Sequence, residues 1–416
     1  MKILFSAIHY PDFNANTTCC ENLASYFKSQ GHQVDFLVIK KPEQSDFEVV
    51  NGRDVFRLEP TEKSFYYTYG SSFCSKNFNN WFIYSNLGVN LIKKQNIKFK
   101  SYPSTLLISF FLDTKTACNN LKQASKHYDY AFAFCTPYTC LTLTYVLNKM
   151  NIVDRWAPIM LDAFIFNKCL PESEIYYRKR VIENVFSSAN RIFLVKGILE
   201  EYPVQGYSPK FLNRTTEINI PIMKKPNILK KGSPKDIPTL VYAGMFYWNI
   251  RNPEKMLEIL SKIIKTKIKI FSCHCEDIIE KMKPLFSEEN LYLSGRIDHD
   301  KCVEEICQAN ILVNLGNNIS NQTPSKILEY ISFGKPILHF YFNEDDTCLP
   351  ILKNYPLSLS VNVNTYTNED IEKINEFIVK YKDAQLSFDE ATENLKYYRI
   401  DYIGDLIEKV TLGKNN

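Results

Sequence analysis

An α/β chain of two tandem, doubly wound units is what three features of the sequence predict. Apolar strands and amphipathic helices alternate from the first residues, the alternation breaks over a proline- and lysine-rich stretch at 221–238, and it then restarts. Strands separated by helices form parallel sheets covered on both faces, and ligands of such sheets bind beyond the C-terminal ends of the strands. The expected site is a cleft between the two units.

The first unit opens as βαβ: strand Lys2–Ala7, helix Glu21–Gln30 ended by Gly31, strand Gln33–Ile39. After a less regular stretch come strand Tyr130–Phe134, helix Tyr138–Lys149, strand Ala157–Leu161, helix Glu174–Ser188 and strand Arg191–Val195. "PIMKKPNILKKGSPKDIP", Pro221 to Pro238, has no long apolar period and reads as the linker. Beyond it follow strand Thr239–Tyr242, helix Pro253–Ile264, strand Ile268–Ser272, helix Asp277–Lys283, strand Leu291–Leu293, helix Lys301–Ala309 and strand Ile311–Leu315. The expected domains are 1–225, with an insert at 61–118 and completed by a C-terminal helix at 395–412, and 237–390.

With 45% hydrophobic and 23% charged residues the chain is globular rather than disordered, and a net charge of +4 is too small to argue for nucleic acid. The opening "MKILFSAIHYPDF" is too short in apolar residues for a signal peptide or a membrane span. The twelve cysteines are scattered, so reduced thiols in the cytoplasm are expected. Cys273, His274 and Cys275 read as a strand, whose alternation separates the thiols from the imidazole, so no metal is expected there. Two readings stand for the insert, where Trp81, Phe82 and Ile83 precede Lys93, Lys94, Lys98 and Lys100: peripheral contact with an anionic membrane, or a hairpin packed on its own unit.

The richest motif is "NQTPSKILEYISFGKPILHFY", Asn321 to Tyr341. Thr323 is read as the cap of a helix, Pro324 as its first residue and Gly334 as its end. Ser325 and Lys326 then stand at a positive helix terminus suited to phosphate, and Glu329 shares their face one turn on. In "DHD", Asp300 is read as the cap of the next helix back, with Asp298 and His299 in the loop before it, rather than as a metal site. There is no GxGxxG and no phosphate-binding P-loop, so nicotinamide and ATP chemistry lack their usual support.

"GHQVDFLVI", "LVYAGMFYWNIRNPEKML", "LYLSGRIDHDKCVEEICQANILVNL" and above all "TPSKILEYISFGKPIL" resemble bacterial glycosyltransferases of the GT-B fold, in the large retaining family four. The resemblance covers most of the chain and implies two Rossmann-like domains, with the acceptor on the first and a nucleotide-sugar donor, expected to be UDP-linked, on the second. It implies no separate cofactor and no metal. The acceptor would be a glycan or lipid-linked glycan of capsule or lipopolysaccharide type. By motif, Glu329 matches the second Glu of the family's pair, which takes the ribose hydroxyls, and Asn321 replaces the first. Arg251, seven residues after Gly244, matches a cation reaching the donor diphosphate with Lys326, while Met245 stands where relatives carry Arg. The resemblance also brings Arg296, Thr323 and Ser325 to the donor, Asn14, Asn16 and Thr17 to the loop after strand one, and Asp162 to the acceptor side. For Asp162 a simple turn cap is an equal reading, and His9, which follows strand one and could face the cleft, is read first as a structural residue. Met245 and Asn321 also leave open a catalytically silent GT-B protein that binds nucleotide or glycan for a partner.

Overall fold

The computed structural model describes residues 1–7, 10–11, 15–41, 43–58, 121, 125–135, 139–162, 175–201, 209–226, 236–319 and 322–413. The insert at 61–118, with its membrane reading, and the candidates His9, Asn14 and Asn321 lie outside them. The chain divides into two compact units, Met1–Pro221 with Ile403–Asn416, and Ile222–Tyr402.

The first unit contains β1 Lys2–Ser6, α1 Ala15–Ser29, β2 Gln33–Ile39, β3 Phe47–Val50, β4 Arg53–Leu58, β5 Tyr128–Cys135, α2 Thr139–Lys149, β6 Val153–Met160, α3 Ile175–Ser188, β7 Ile192–Val195, α4 Lys196–Glu201 and β8 Thr215–Ile218. Its sheet runs β3-β4-β2-β1-β5-β6-β7-β8. All pairings are parallel except β3 with β4, an edge hairpin that departs from the all-parallel expectation. Its turn is Asn51-Gly52, both at positive φ (53° and 68°), the geometry that lets two residues join twisted strands. Phe5, Phe27, Phe36, Phe132 and Phe134 fill one face with ring centroids 5.4–6.1 Å from Phe5.

The second unit contains β9 Thr239–Ala243, α5 Glu254–Leu260, β10 Lys267–Phe271, α6 Glu276–Met282, β11 Leu291–Ser294, α7 His299–Gln308, β12 Ile311–Leu315, α8 Lys326–Ser332, β13 Ile337–Tyr341, α9 Leu349–Leu352, β14 Ser358–Asn362, α10 Asn368–Tyr381 and α11 Phe388–Ala391. Its sheet, β11-β10-β9-β12-β13-β14, is parallel throughout. The central strands are buried on both sides because helices cover both faces, as in Thr239–Ala243 and Ile311–Leu315, buried at every position. Capping boxes start α10 (Thr367 with Asp370) and α11 (Ser387 with Glu390).

The last helix, α12 Ile400–Leu412, belongs from Ile403 onward to the first unit. There Tyr26 donates to Asp405, and His32 Nε2 meets Glu408 Oε1 at 2.8 Å. Gly404 is required by close approach, since a Cβ would lie 2.4 Å from the Tyr26 ring. Ile222 and Met223, read as linker from the sequence, are buried in the second unit, where the Ile400 N–H donates to the Met223 carbonyl at 2.9 Å. Among the described residues no helix is long and apolar enough to cross a membrane.

Candidate functional site

In the second sheet β9 lies centrally: β10 and β11 extend to one side of it, β12 to β14 to the other. Strand order therefore reverses between β9 and β12, and sheets of this kind hold ligands against the loops that leave the C-terminal ends of such a strand pair. Those loops, 244–253 and 316–325, carry most of the donor candidates.

The two loops are tied together. The Asn318 N–H donates to the Ile250 carbonyl at 2.7 Å, and Arg251 donates to Asn317 Oδ1 through Nε at 3.0 Å and Nη2 at 2.7 Å. Asn317 is only 3% exposed, and its own amide nitrogen donates to the Gln322 carbonyl at 2.7 Å, which turns its oxygen toward the guanidinium. Arg251 Nη1 also donates to the Met245 carbonyl at 3.2 Å. Among the described residues no carboxylate pairs with Arg251, whose hydrogen bonds to Asn317 and Met245 go to neutral oxygens and whose guanidinium lies 6.0 Å from the Tyr247 ring centroid. Met245 points outward, 42% exposed. At Gly244 the nearest atom to a Cβ would be the Tyr242 hydroxyl, at 3.3 Å.

The start of α8 differs from the expected one. Its first helical residue is Lys326, its N-cap position is Ser325, and neither Ser325 nor Thr323 caps it with a side chain. Pro324 precedes the helix because its backbone turns with the Ile327 N–H on the Pro324 carbonyl at 3.1 Å. Lys326 Nζ pairs with Glu329 Oε2 at 2.7 Å. Burial opposes the Lys326 charge, but that carboxylate outweighs it and holds the ammonium above the usual lysine range. Tyr330, fully buried, clasps the end of β9 through the Ala243 N–H at 2.8 Å.

The helix α7 packs on β9 and brings His299 and Cys302 into the field of Lys326 and Glu329. Burial pushes the His299 imidazole below its ordinary value, against the pull of Glu329. Here too the expected cap moves: Asp298, not Asp300, is the N-cap residue, because the helix starts at His299 and takes Asp300 into its first turn. Arg296 is exposed in the loop after β11. Cys273, His274 and Cys275 are not strand; β10 ends at Phe271, and His274 and Cys275 take positive φ (69° and 60°) in the turn into α6.

The remaining candidates belong to the first unit. Asp162 follows β6, at the C-terminal end of the sheet. Asn16 and Thr17, expected in a loop, form the first turn of α1, which starts six residues before the predicted Glu21. Sequence reasoning missed Asn317, since nothing local distinguishes an Asn after a buried strand. It also missed His339, Asp346 and Cys348, which the fold gathers with every ligand atom within 4.8 Å of the others.

Neither a protein-family model nor a curated protein sequence matches the chain. Solved structures do. A sucrose-phosphate synthase from Thermosynechococcus elongatus superposes with a TM-score of 0.66 over 99% of this chain and 98% of that one, at 11% identity. Anabaena HepE, solved in complex with UDP and glucose, gives 0.62 over 100% of both chains at 11% identity. A putative UDP-N-acetylglucosamine 2-epimerase from Listeria monocytogenes gives 0.56 over 100% and 97% at 11% identity. Two parallel-sheet α/β units in this order are the GT-B fold, and this chain has it.

Proposed function

We propose that the chain is a retaining glycosyltransferase of family-four type, moving a sugar from a nucleotide donor, UDP-linked, to a glycan or lipid-linked acceptor in surface-polysaccharide synthesis. The observation that carries the proposal is the Arg251–Asn317 bridge between the two loops of the strand-order reversal, which holds an uncompensated guanidinium where a phosphorylated ligand of this fold would lie. The donor is assigned to the second unit, with Asn16 and Thr17 as further donor-binding candidates, and the acceptor, with Asp162, to the first unit.

In this reading Arg251 and Lys326 meet the diphosphate. One Lys326 N–H is engaged by Glu329, leaving two for phosphate oxygens. Glu329 Oε1 has no hydrogen bond among the described residues and accepts from a ribose hydroxyl. As the bond from the anomeric carbon to the diphosphate breaks, the acceptor oxygen bonds to that carbon from the same face, and the acceptor proton passes to the departing phosphate. Fixed cations aimed at the departing charge are worth a few kcal/mol each. With two cations supplied by the protein, a divalent ion at Asp298–Asp300 is not needed, and the enzyme works without a metal on the donor. It acts in the cytoplasm, and both readings of the insert, peripheral membrane contact and packing on its own unit, stay open.

The likeness to an epimerase gives a second reading, inversion of a nucleotide sugar with no acceptor. Incubation with a panel of nucleotide sugars, with product analysis, separates the two. Release of UDP from one donor, and its acceleration by a glycan acceptor, is expected. A new nucleotide sugar without UDP release would establish the epimerase, and binding without turnover a silent partner protein.

A further inference from the structure

We propose that His339, Asp346 and Cys348 bind one zinc ion, a structural centre beneath the loop that holds Arg251. Parallel pairing of β12 with β13 sets Asn314 beside His339, and the chain returns after β13 through Asp346 to Cys348, the N-cap position of α9. The three side chains come from residues 0%, 2% and 0% exposed. Their ligand atoms all lie within 4.8 Å of one another, and His339 Nε2 is 3.6 Å from Asp346 Oδ1. Donors about 2.0–2.1 Å from a tetrahedral zinc stand about 3.3–3.5 Å apart, a spacing that His339 and Asp346 already have and that Cys348, within 4.8 Å of both, reaches by moving inward.

Two buried polar atoms at this spot have no hydrogen-bond partner, His339 Nε2 and Asp346 Oδ2. Groups of this kind at full burial call for an explanation, and a cation explains both together. The surroundings are already arranged as an outer shell. The Cys348 N–H donates to Asp346 Oδ1 at 2.7 Å, and the Asn314 amide lies 2.8 Å from His339 Nδ1. With that amide turned over, its oxygen accepts from Nδ1–H and fixes the tautomer whose Nε2 lone pair is free for metal.

Charge closes the argument. A divalent ion with one carboxylate, one thiolate and one neutral imidazole sums to zero, which a site without solvent can hold, whereas the carboxylate by itself is costly there. Binding replaces the thiol proton, which is released. A nitrogen, oxygen and sulfur donor set selects zinc over magnesium or calcium, and the second Asp346 oxygen, otherwise without a partner, can fill the fourth position.

Asp346 rests against Gly316, where a Cβ would lie 1.7 Å from Oδ2, and the next residue is Asn317. The ion therefore fixes the carboxylate against which the loop of Asn317, the partner of Arg251, sits. Metal binding does not depend on the glycosyltransferase reading, and its test needs no substrate.

The full chain, purified without added metal, is analysed for zinc by mass spectrometry, then stripped under mild denaturation and refolded with cobalt(II). About one zinc per chain and an intense near-ultraviolet thiolate-to-cobalt band are expected. The band should vanish in Cys348→Ser, persist in Cys275→Ser, and be displaced by zinc. A wild-type chain that holds no zinc and gives no such band overturns the proposal, as does a band that survives Cys348→Ser. If His339→Gln fails to fold, the wild-type measurement still decides.

Discussion

Arg251 donates two hydrogen bonds to a single oxygen of Asn317, a neutral residue on the neighbouring loop. A guanidinium held in place by a neutral acceptor keeps its full charge for a third party, which a carboxylate partner would have cancelled. Replacing it should therefore cost ligand affinity more than stability. Arg251→Ala is expected to weaken UDP binding by about 2 kcal/mol, roughly 30-fold, the size of a charged hydrogen bond. Asn317→Ala should give a smaller loss by freeing the guanidinium to move. Calorimetric titration with UDP checks both, and equal affinity in Arg251→Ala would remove the phosphate role.

Glu329 serves two partners in the proposed complex, Lys326 through Oε2 and ribose through Oε1. Glu329→Ala should abolish most of the rise in melting temperature that UDP causes, a rise worth about 2.7 kcal/mol at 100 times the dissociation constant. Glu329→Gln should retain part of it, because an amide oxygen still accepts from a hydroxyl. A thermal shift by UDP that is unchanged in Glu329→Ala would exclude the ribose contact.

In the first unit Arg53 Nη1 meets Glu21 Oε2 at 2.5 Å, with Tyr10 and Ser25 donating to the same carboxylate. Burial alone would raise the Glu21 carboxyl, but these bonds and the Arg53 charge together bring it below its ordinary 4.5. A carboxyl lowered on folding stabilises fully above its unfolded value and loses that contribution as pH falls through the folded value. Urea midpoints should thus drop below pH 4.5, and drop less in Glu21→Gln. Arg53→Ala, which strands a half-buried carboxylate and removes a buried guanidinium, should cost about 2 kcal/mol at neutral pH, roughly 4–8 °C in melting temperature.

Gly31 and Gly334 both have positive φ, 84° and 66°, but only one is crowded. A Cβ at Gly31 meets nothing within 4 Å, whereas at Gly334 it would lie 2.0 Å from the Leu386 carbonyl oxygen. Gly31→Ala should cost about 1–2 kcal/mol, the left-handed penalty alone. Gly334→Ala should cost clearly more, since backbone must move as well. Denaturant titration of the pair measures the difference, and equal costs would mean that the Leu386 segment yields freely.

What could be read in advance followed from periodicity. Gln33–Ile39 is a strand with the expected bounds because six of its seven residues are buried and apolar neighbours leave no ambiguity of type. The early start of α1 was hidden because Asn16, Thr17 and Thr18 are poor helix formers that tertiary contacts hold in the first turn. The β3–β4 hairpin was legible and overlooked, since Asn51-Gly52 is a strong two-residue turn signal. At the site, Arg251, Lys326 and Glu329 carry charge and stand at motif positions, so resemblance finds them. Asn317 and the His339 cluster are assembled by strand order and register, which a local reading cannot see.

The chain leaves the first unit at Pro221 and re-enters it at Ile403, and the ends of the intervening unit are clasped through Met223 and Ile400. During synthesis the first unit is therefore begun first and finished last. At about 5–20 residues per second, tens of seconds separate the appearance of Tyr26 and His32 from that of the helix that covers them. Throughout that interval an aromatic surface awaits its own C-terminus, and the second unit can fold completely while the first is still open. The unit that is begun earlier thus waits longer for the helix that covers it. A gene fragment ending near Pro221 lacks that closing helix, whereas residues 222–402 form a contiguous piece whose ends already meet.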